Sequence, residues 1–126
     1  MSTDYTSAGL VRYGTVGTPT NGDVIATIYS KNHSWLIVGI TARIVTQGAQ
    51  AASAIEIYNL TKTTLLASLV LGTAAAGTTF ELRNGSTALT TKEAYIAAGD
   101  VIQIRAKTTD AAIVYTYEVF ATSTID

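Results

Sequence analysis

The 126-residue chain carries eight Lys or Arg against nine Asp or Glu, a formal charge of -1, with 48% apolar residues, ten Gly, one Pro and no Cys. That length suits one domain able to bury a core; the missing cysteine excludes disulfides and thiolate-bound metals, and the balanced charge excludes the basic footprint of a nucleic-acid or anionic-membrane binder. Charged residues make up only 13% of the chain; on a compact monomer exposing about 6,400 Å² that leaves one charge per roughly 380 Å², about half the usual density.

Residues 1–8 lack both the basic start and the apolar stretch of a signal peptide. They read as an extended N-terminal arm ahead of a single β-sandwich domain over 9–126, with Tyr5 in the arm and Tyr13 beside it as aromatics able to anchor onto a partner. No window repeats apolar residues at helical spacing, whereas two-residue alternation and β-branched runs return about every ten positions. The pattern predicts strands over 9–15, 23–30, 34–46, 53–60, 64–71, 78–83, 86–90, 94–97, 100–107 and 111–122. Turn chemistry separates them: Gly17 to Gly22, which contains the one proline, Lys31 to His33, Gln47-Gly48, Asn84-Gly85, Gly99-Asp100 and Thr109-Asp110. Asn84-Gly85 is the strongest hairpin signal, because both residues tolerate positive φ. The Ala-rich stretches from Ala49 to Ala54 and Ala74 to Gly77 read as loops. Neither Trp35 to Ile40 nor Leu65 to Leu71 approaches the roughly 20 apolar residues of a membrane-spanning helix. The fold class is therefore all-β: an antiparallel two-sheet sandwich, jelly-roll-like in its strand count.

Alternation also assigns faces. In 34–46, Leu36, Val38, Ile40, Ala42 and Ile44 form the expected core face, which sends Trp35 and Ile37 to the opposite side. In 64–71, Leu66 and Val70 oppose Leu65, Ala67, Leu69 and Leu71; in 111–122, Val114, Thr116, Glu118 and Phe120 oppose Ile113, Tyr115, Tyr117 and Val119. Arg105 and Lys107 alternate away from Ile102, Ile104 and Ala106, and Glu56 from Ile55 and Ile57. Strands apolar on both faces exceed what one small core hides, so a homo-oligomer is expected. The candidate interface residues are Tyr5, Tyr13, Trp35, Ile37, Leu66, Val70, Arg105 and Glu118.

Catalytic chemistry is not visible. His33 is the only histidine and sits in a turn, so neither a His-based triad nor a zinc site can be assembled. Glu56, Glu81, Glu93, Glu118, Asp100 and Asp110 fit strand-face or turn positions better than a paired-carboxylate site. The sequons at Asn32, Asn59 and Asn84 match what a Thr- and Ser-rich chain yields by chance. No enzyme activity, cofactor or metal is expected.

The stretch Ala94-Tyr95-Ile96-Ala97-Ala98-Gly99-Asp100-Val101-Ile102-Gln103-Ile104, followed by Ile113-Val114-Tyr115-Thr116-Tyr117-Glu118-Val119, resembles the closing strands of small jelly-roll capsid decoration (cement) proteins of tailed bacteriophages. The resemblance covers about the last 35 residues and the Thr-, Ala- and Gly-rich character of the chain. It implies a homotrimer on the outside of a phage capsid, clamping neighbouring major capsid subunits, made in the host cytoplasm and resident on the virion. It brings no catalytic residues, no nucleic acid and no membrane. The alternative is a receptor-binding or fibre-tip β-sandwich recognising cell-surface glycans; a chain that begins at Met1 without a repetitive shaft favours the first.

Overall fold

The computed structural model describes residues 9–30, 34–83 and 95–124. The expected arm with Tyr5, the turn at His33, the Asn84-Gly85 hairpin and the strand over 86–90 lie outside the described residues. Among the described residues the secondary structure is strand and turn: β1 (Gly9–Gly17), β2 (Val24–Tyr29), β3 (Ser34–Thr46), β4 (Ala54–Asn59), β5 (Thr64–Val70), β6 (Thr79–Arg83), β7 (Tyr95–Ile96), β8 (Val101–Lys107) and β9 (Val114–Thr124). Both Ala-rich stretches are turns and bends. The last strand starts three residues later than alternation predicts, because Ala112 and Ile113 donate their backbone N–H to Asp110 Oδ1 instead of to a ladder (3.0 and 3.2 Å).

Two antiparallel sheets form a sandwich. The first has the order β1-β9-β3-β6, with β7 also on β3, and the second β2-β8-β4-β5. Apart from the β4–β5 hairpin and the β6–β7 pair, consecutive strands alternate between sheets, which is the winding of a jelly roll. The core lies where the inner faces meet: Ile40, Ala42, Ile44, Tyr115, Tyr117 and Val119 from the first sheet against Ile28, Ile55, Ile57, Ile102 and Ile104 from the second. Gly14 pairs directly with Tyr117, and a Cβ there would stand 3.3 Å from the ring. The missing side chain lets the tyrosine lie across β1.

Two β-bulges correct the expected faces. In β3, Ile37 pairs with Ala121 and Gly39 with Phe120, which leaves Val38 as an extra residue. An extra residue inverts alternation on one side of itself. Trp35, paired with the buried Ile96, therefore turns toward the core and packs against it; the side chain of Ile37 lies outside the described residues. In β5, Tyr58 pairs with Leu65 and Ile57 with Ala67, so Leu66 is the extra residue. Leu66 is 4% exposed and belongs to the core. Trp35 and Leu66 are thus not on an outer face, contrary to strict alternation.

One buried carboxylate ties the loops at each end of the sandwich. At the first, Asp110 accepts from Ala49 N (3.1 Å), Gln50 N (3.1 Å) and Ser53 Oγ (2.8 Å) through Oδ2, and from Ala112 N and Ile113 N through Oδ1. Its own N–H donates to Pro19 O at 3.0 Å, so the β1–β2, β3–β4 and β8–β9 connections share one anchor. At the other end Asp100 accepts from Asn59 Nδ2 (2.8 Å) and Ala97 N (3.2 Å) and lies 3.4 Å from Lys62 Nζ. Its backbone carbonyl accepts from Ser30 N and Ser30 Oγ.

Candidate interaction surfaces

The outer faces of the two sheets differ in chemistry. Cross-strand partners share a face, so the register alone builds each surface. On the first sheet one row runs Tyr13, Glu118, Thr41, Glu81 from β1 to β6, and the next runs Thr15, Thr116, Arg43, Thr79. Neighbours in a row are one strand spacing apart, about 4.8 Å. The short side chains Thr15, Thr116 and Thr41 lie on a diagonal, with Tyr13 and Glu118 on one side and Arg43 and Glu81 on the other. The result is an open trough of about 920 Å³. Tyr13, on the edge strand, is 76% exposed.

On the second sheet the rows are Val24, Arg105, Glu56, Ser68 and Thr27, Gln103, Tyr58, Leu65, with Tyr29 paired to Val101 beyond them. Val24, Tyr29 and Val70 are large, apolar and exposed on this face, and Leu60 is exposed beside it in the β4–β5 turn. Arg105 is held in place: its guanidinium stacks 4.0 Å from the centre of the Tyr58 ring and donates from Nε and Nη2 to Gln103 Oε1 (2.9 and 2.7 Å). A guanidinium already fixed over an aromatic ring loses little entropy when a partner covers it. Four strands of about six residues give this face roughly 400 Å², over which the exposed apolar side chains are interleaved with Arg105, Glu56 and Gln103.

The candidates read from sequence are therefore dispersed. Tyr13 and Glu118 are direct cross-strand neighbours on the first face, Arg105 and Val70 lie on the second, and Trp35 and Leu66 are core. Sequence reasoning missed Arg43, Thr41 and Thr116 in the trough, and Tyr29 and Tyr58 on the opposite side. The two tyrosines carried a usable signal, since each alternates away from a buried isoleucine, Ile28 and Ile57.

The perturbed titrations belong to structure and not to a reaction centre. Burial pushes the Asp110 carboxyl up, but hydrogen bonds from Ala112, Ser53, Ala49 and Gln50 outweigh it and hold the pKa at about 2. Asp100 is likewise lowered: burial opposes the shift, and Asn59, Lys62 and Ala97 override it. Burial raises the Tyr115 and Tyr117 phenols, partly offset at Tyr117 by the Arg12 charge. Among the described residues no three His, Asp or Glu side chains converge to hold a metal ion. The Asn59 sequon is 2% exposed, its amide bonded to Asp100, so it is closed to glycosylation in the folded chain.

The chain matches no protein-family model and no curated protein. Solved structures do match. A chain of the acidic stable capsid structure of Helicobacter pylori bacteriophage KHP30 superposes with a TM-score of 0.51 at 10% identity, over 93% of this chain and 89% of that one. That likeness shows the fold. A chain of the cyanophage Pam1 capsid asymmetric unit gives 0.48 at 16% identity over 94% and 86%. A chain of the Bacillus endospore appendages, disulfide-linked pili, gives 0.47 at 12% identity over 95% and 88%.

Proposed function

We propose that this chain is a structural virion protein that binds the outside of a phage capsid as a homotrimer and stabilises contacts between major capsid subunits, without catalysis or cofactor. The observation that carries the reading is the second sheet's outer face, where Val24, Tyr29 and Val70 are exposed on the same face as the fixed Arg105 in a chain poor in charge. Tyrosine and arginine are the side chains that dominate binding energy at protein interfaces. A chain in a bacteriophage capsid has the same fold, which is consistent with a virion role. The outer faces of a sandwich point in opposite directions, so one closed contact does not bury both. Copy-to-copy contact falls to the second face, with Val70 and Arg105, and the arm over residues 1–8 with Tyr5 is left for the capsid; Tyr13 and Glu118 stay open on the first face. Cementing then follows from mass action: a ligand that binds the assembled lattice and not its separated subunits at 100 times its Kd stabilises the lattice by about 2.7 kcal/mol per site, and three linked sites raise the effective affinity further.

The test is attachment. Purified protein added to undecorated capsids should co-sediment with them and raise the temperature at which they release DNA. Removing residues 1–8 should weaken attachment more than it destabilises the trimer; attachment unchanged by that deletion would refute the role of the arm. A second reading, a receptor-binding domain recognising cell-surface glycans, is favoured by the open trough beside Tyr13.

A further inference from the structure

We infer that the trough on the first sheet is a binding site for a neutral saccharide; the inference rests on the glycan-recognition reading and is compatible with attachment to a capsid through the arm. Its lining selects by elimination. The lining mixes the hydroxyls of Thr41 and Thr116 with apolar surface of Ala42 and Phe80, which suits a ligand with both polar and apolar faces. The carboxylate of Glu118 repels phosphates, nucleic acid and acidic sugars, while Arg43, set diagonally across the floor from Glu118, opposes a polycation. Glu118 and Arg43 are diagonal cross-strand neighbours, at a distance where Cβ atoms stand about 7–8 Å apart, and no ion pair closes between them.

What remains is a ligand that donates and accepts hydrogen bonds in equal measure and has one apolar face. A carboxylate accepts only and a guanidinium donates only. Adjacent sugar hydroxyls can give their protons to Glu118 while others take them from Arg43, across a gap the side chains leave open. The sugar's C–H face then lies against the Tyr13 ring, which is exposed at the rim of the trough. The volume, about 920 Å³, is within the range of small-molecule sites and takes a short oligosaccharide. An open trough of this kind binds weakly per copy, and linked copies supply avidity.

The experiment is saturation-transfer NMR on the full chain with lactose, cellotriose, mannotriose and chitotriose at millimolar concentration, and with sialyllactose as the acidic counterpart of lactose. At least one neutral sugar should bind, sialyllactose should bind no better than lactose, and Tyr13→Ala and Glu118→Ala should each weaken binding by about tenfold, the loss of one ring contact or one charged hydrogen bond. Thr20→Ala, in the exposed β1–β2 turn, should leave it unchanged. Both trough variants sit on exposed strand positions, and unchanged thermal unfolding would show that they fold. Binding of none of the neutral sugars, preference for sialyllactose, or binding indifferent to both trough variants would overturn the proposal. Capsid co-sedimentation of the same variants separates the two readings: attachment retained without sugar binding removes the saccharide site alone.

Discussion

Asp110→Asn changes one atom of the knot that gathers three loops, and its cost can be worked from the hydrogen bonds. The carboxylate is surrounded by donors on both oxygens: Ala49 N, Gln50 N and Ser53 Oγ face Oδ2, and Ala112 N and Ile113 N face Oδ1. An asparagine must present its amide group to one set. Ser53 can reverse its hydroxyl and accept, and Ala49 N also reaches Oδ1 at 3.2 Å, so the less costly orientation leaves one backbone N–H, that of Gln50, without its acceptor at a residue only 1% exposed. The loss is about 1–3 kcal/mol. The pH dependence supplies a second readout. The folded pKa of about 2 lies below the ordinary 3.8, so the contribution is complete above roughly pH 5 and is lost as the pH falls through 2. The shift is worth about 1–2 kcal/mol once screening at the end of the sandwich is allowed for. Urea unfolding of wild type and Asp110→Asn, at equal protein concentration, should differ by about 1–3 kcal/mol at pH 7 and by about 1–2 kcal/mol less near pH 2. A difference under about 0.5 kcal/mol at pH 7, or one that does not narrow on acidification, would refute the reasoning.

Gly48→Ala tests the same knot from outside: the new Cβ would stand 2.6 Å from Asp110 Oδ2 and 3.0 Å from Ile113 Cβ. The fixed carboxylate cannot retreat, so a loss of about 2 kcal/mol is expected in denaturant unfolding, and an unchanged midpoint would show that the loop yields. Tyr115→Phe tests a cost carried by the core: the phenol oxygen is buried without a partner, so its removal should leave thermal stability equal or higher by about 1 kcal/mol. A clear loss would mean that the hydroxyl is bonded. Arg105→Glu on the second face should weaken self-association, read by light scattering, while leaving the far-UV spectrum of the chain intact; a variant that assembles normally would exclude that face from the contact.

How legible all this was in the sequence depends on what each signal measures. The nine described strands follow alternation and turn residues closely, because a half-buried strand writes its period directly into the chain. Faces were legible only where no bulge intervened. β9 runs without one, and its inner set of Tyr115, Tyr117 and Val119 is as the pattern implies. In β3 and β5 the extra residues, Val38 and Leu66, carry no distinctive chemistry, so Trp35 and Leu66 were assigned outward when the register turns them in. The trough was not legible at all: Tyr13, Glu118, Thr41 and Glu81 are scattered from residue 13 to 118 and form a row only through strand order. The Asp110 and Asp100 turns were recognisable as turns. The loops they tie together were not.

The central claim is that surface short of charge is surface committed to copies of the same chain and to a larger particle. Sedimentation equilibrium of the purified chain at micromolar concentration tests it most directly. The account predicts a stable species of three chains, weakened by Arg105→Glu and indifferent to Tyr13→Ala. A clean monomer would contradict it, because Val24, Tyr29 and Val70 would then be ordinary exposed residues with nothing to cover them.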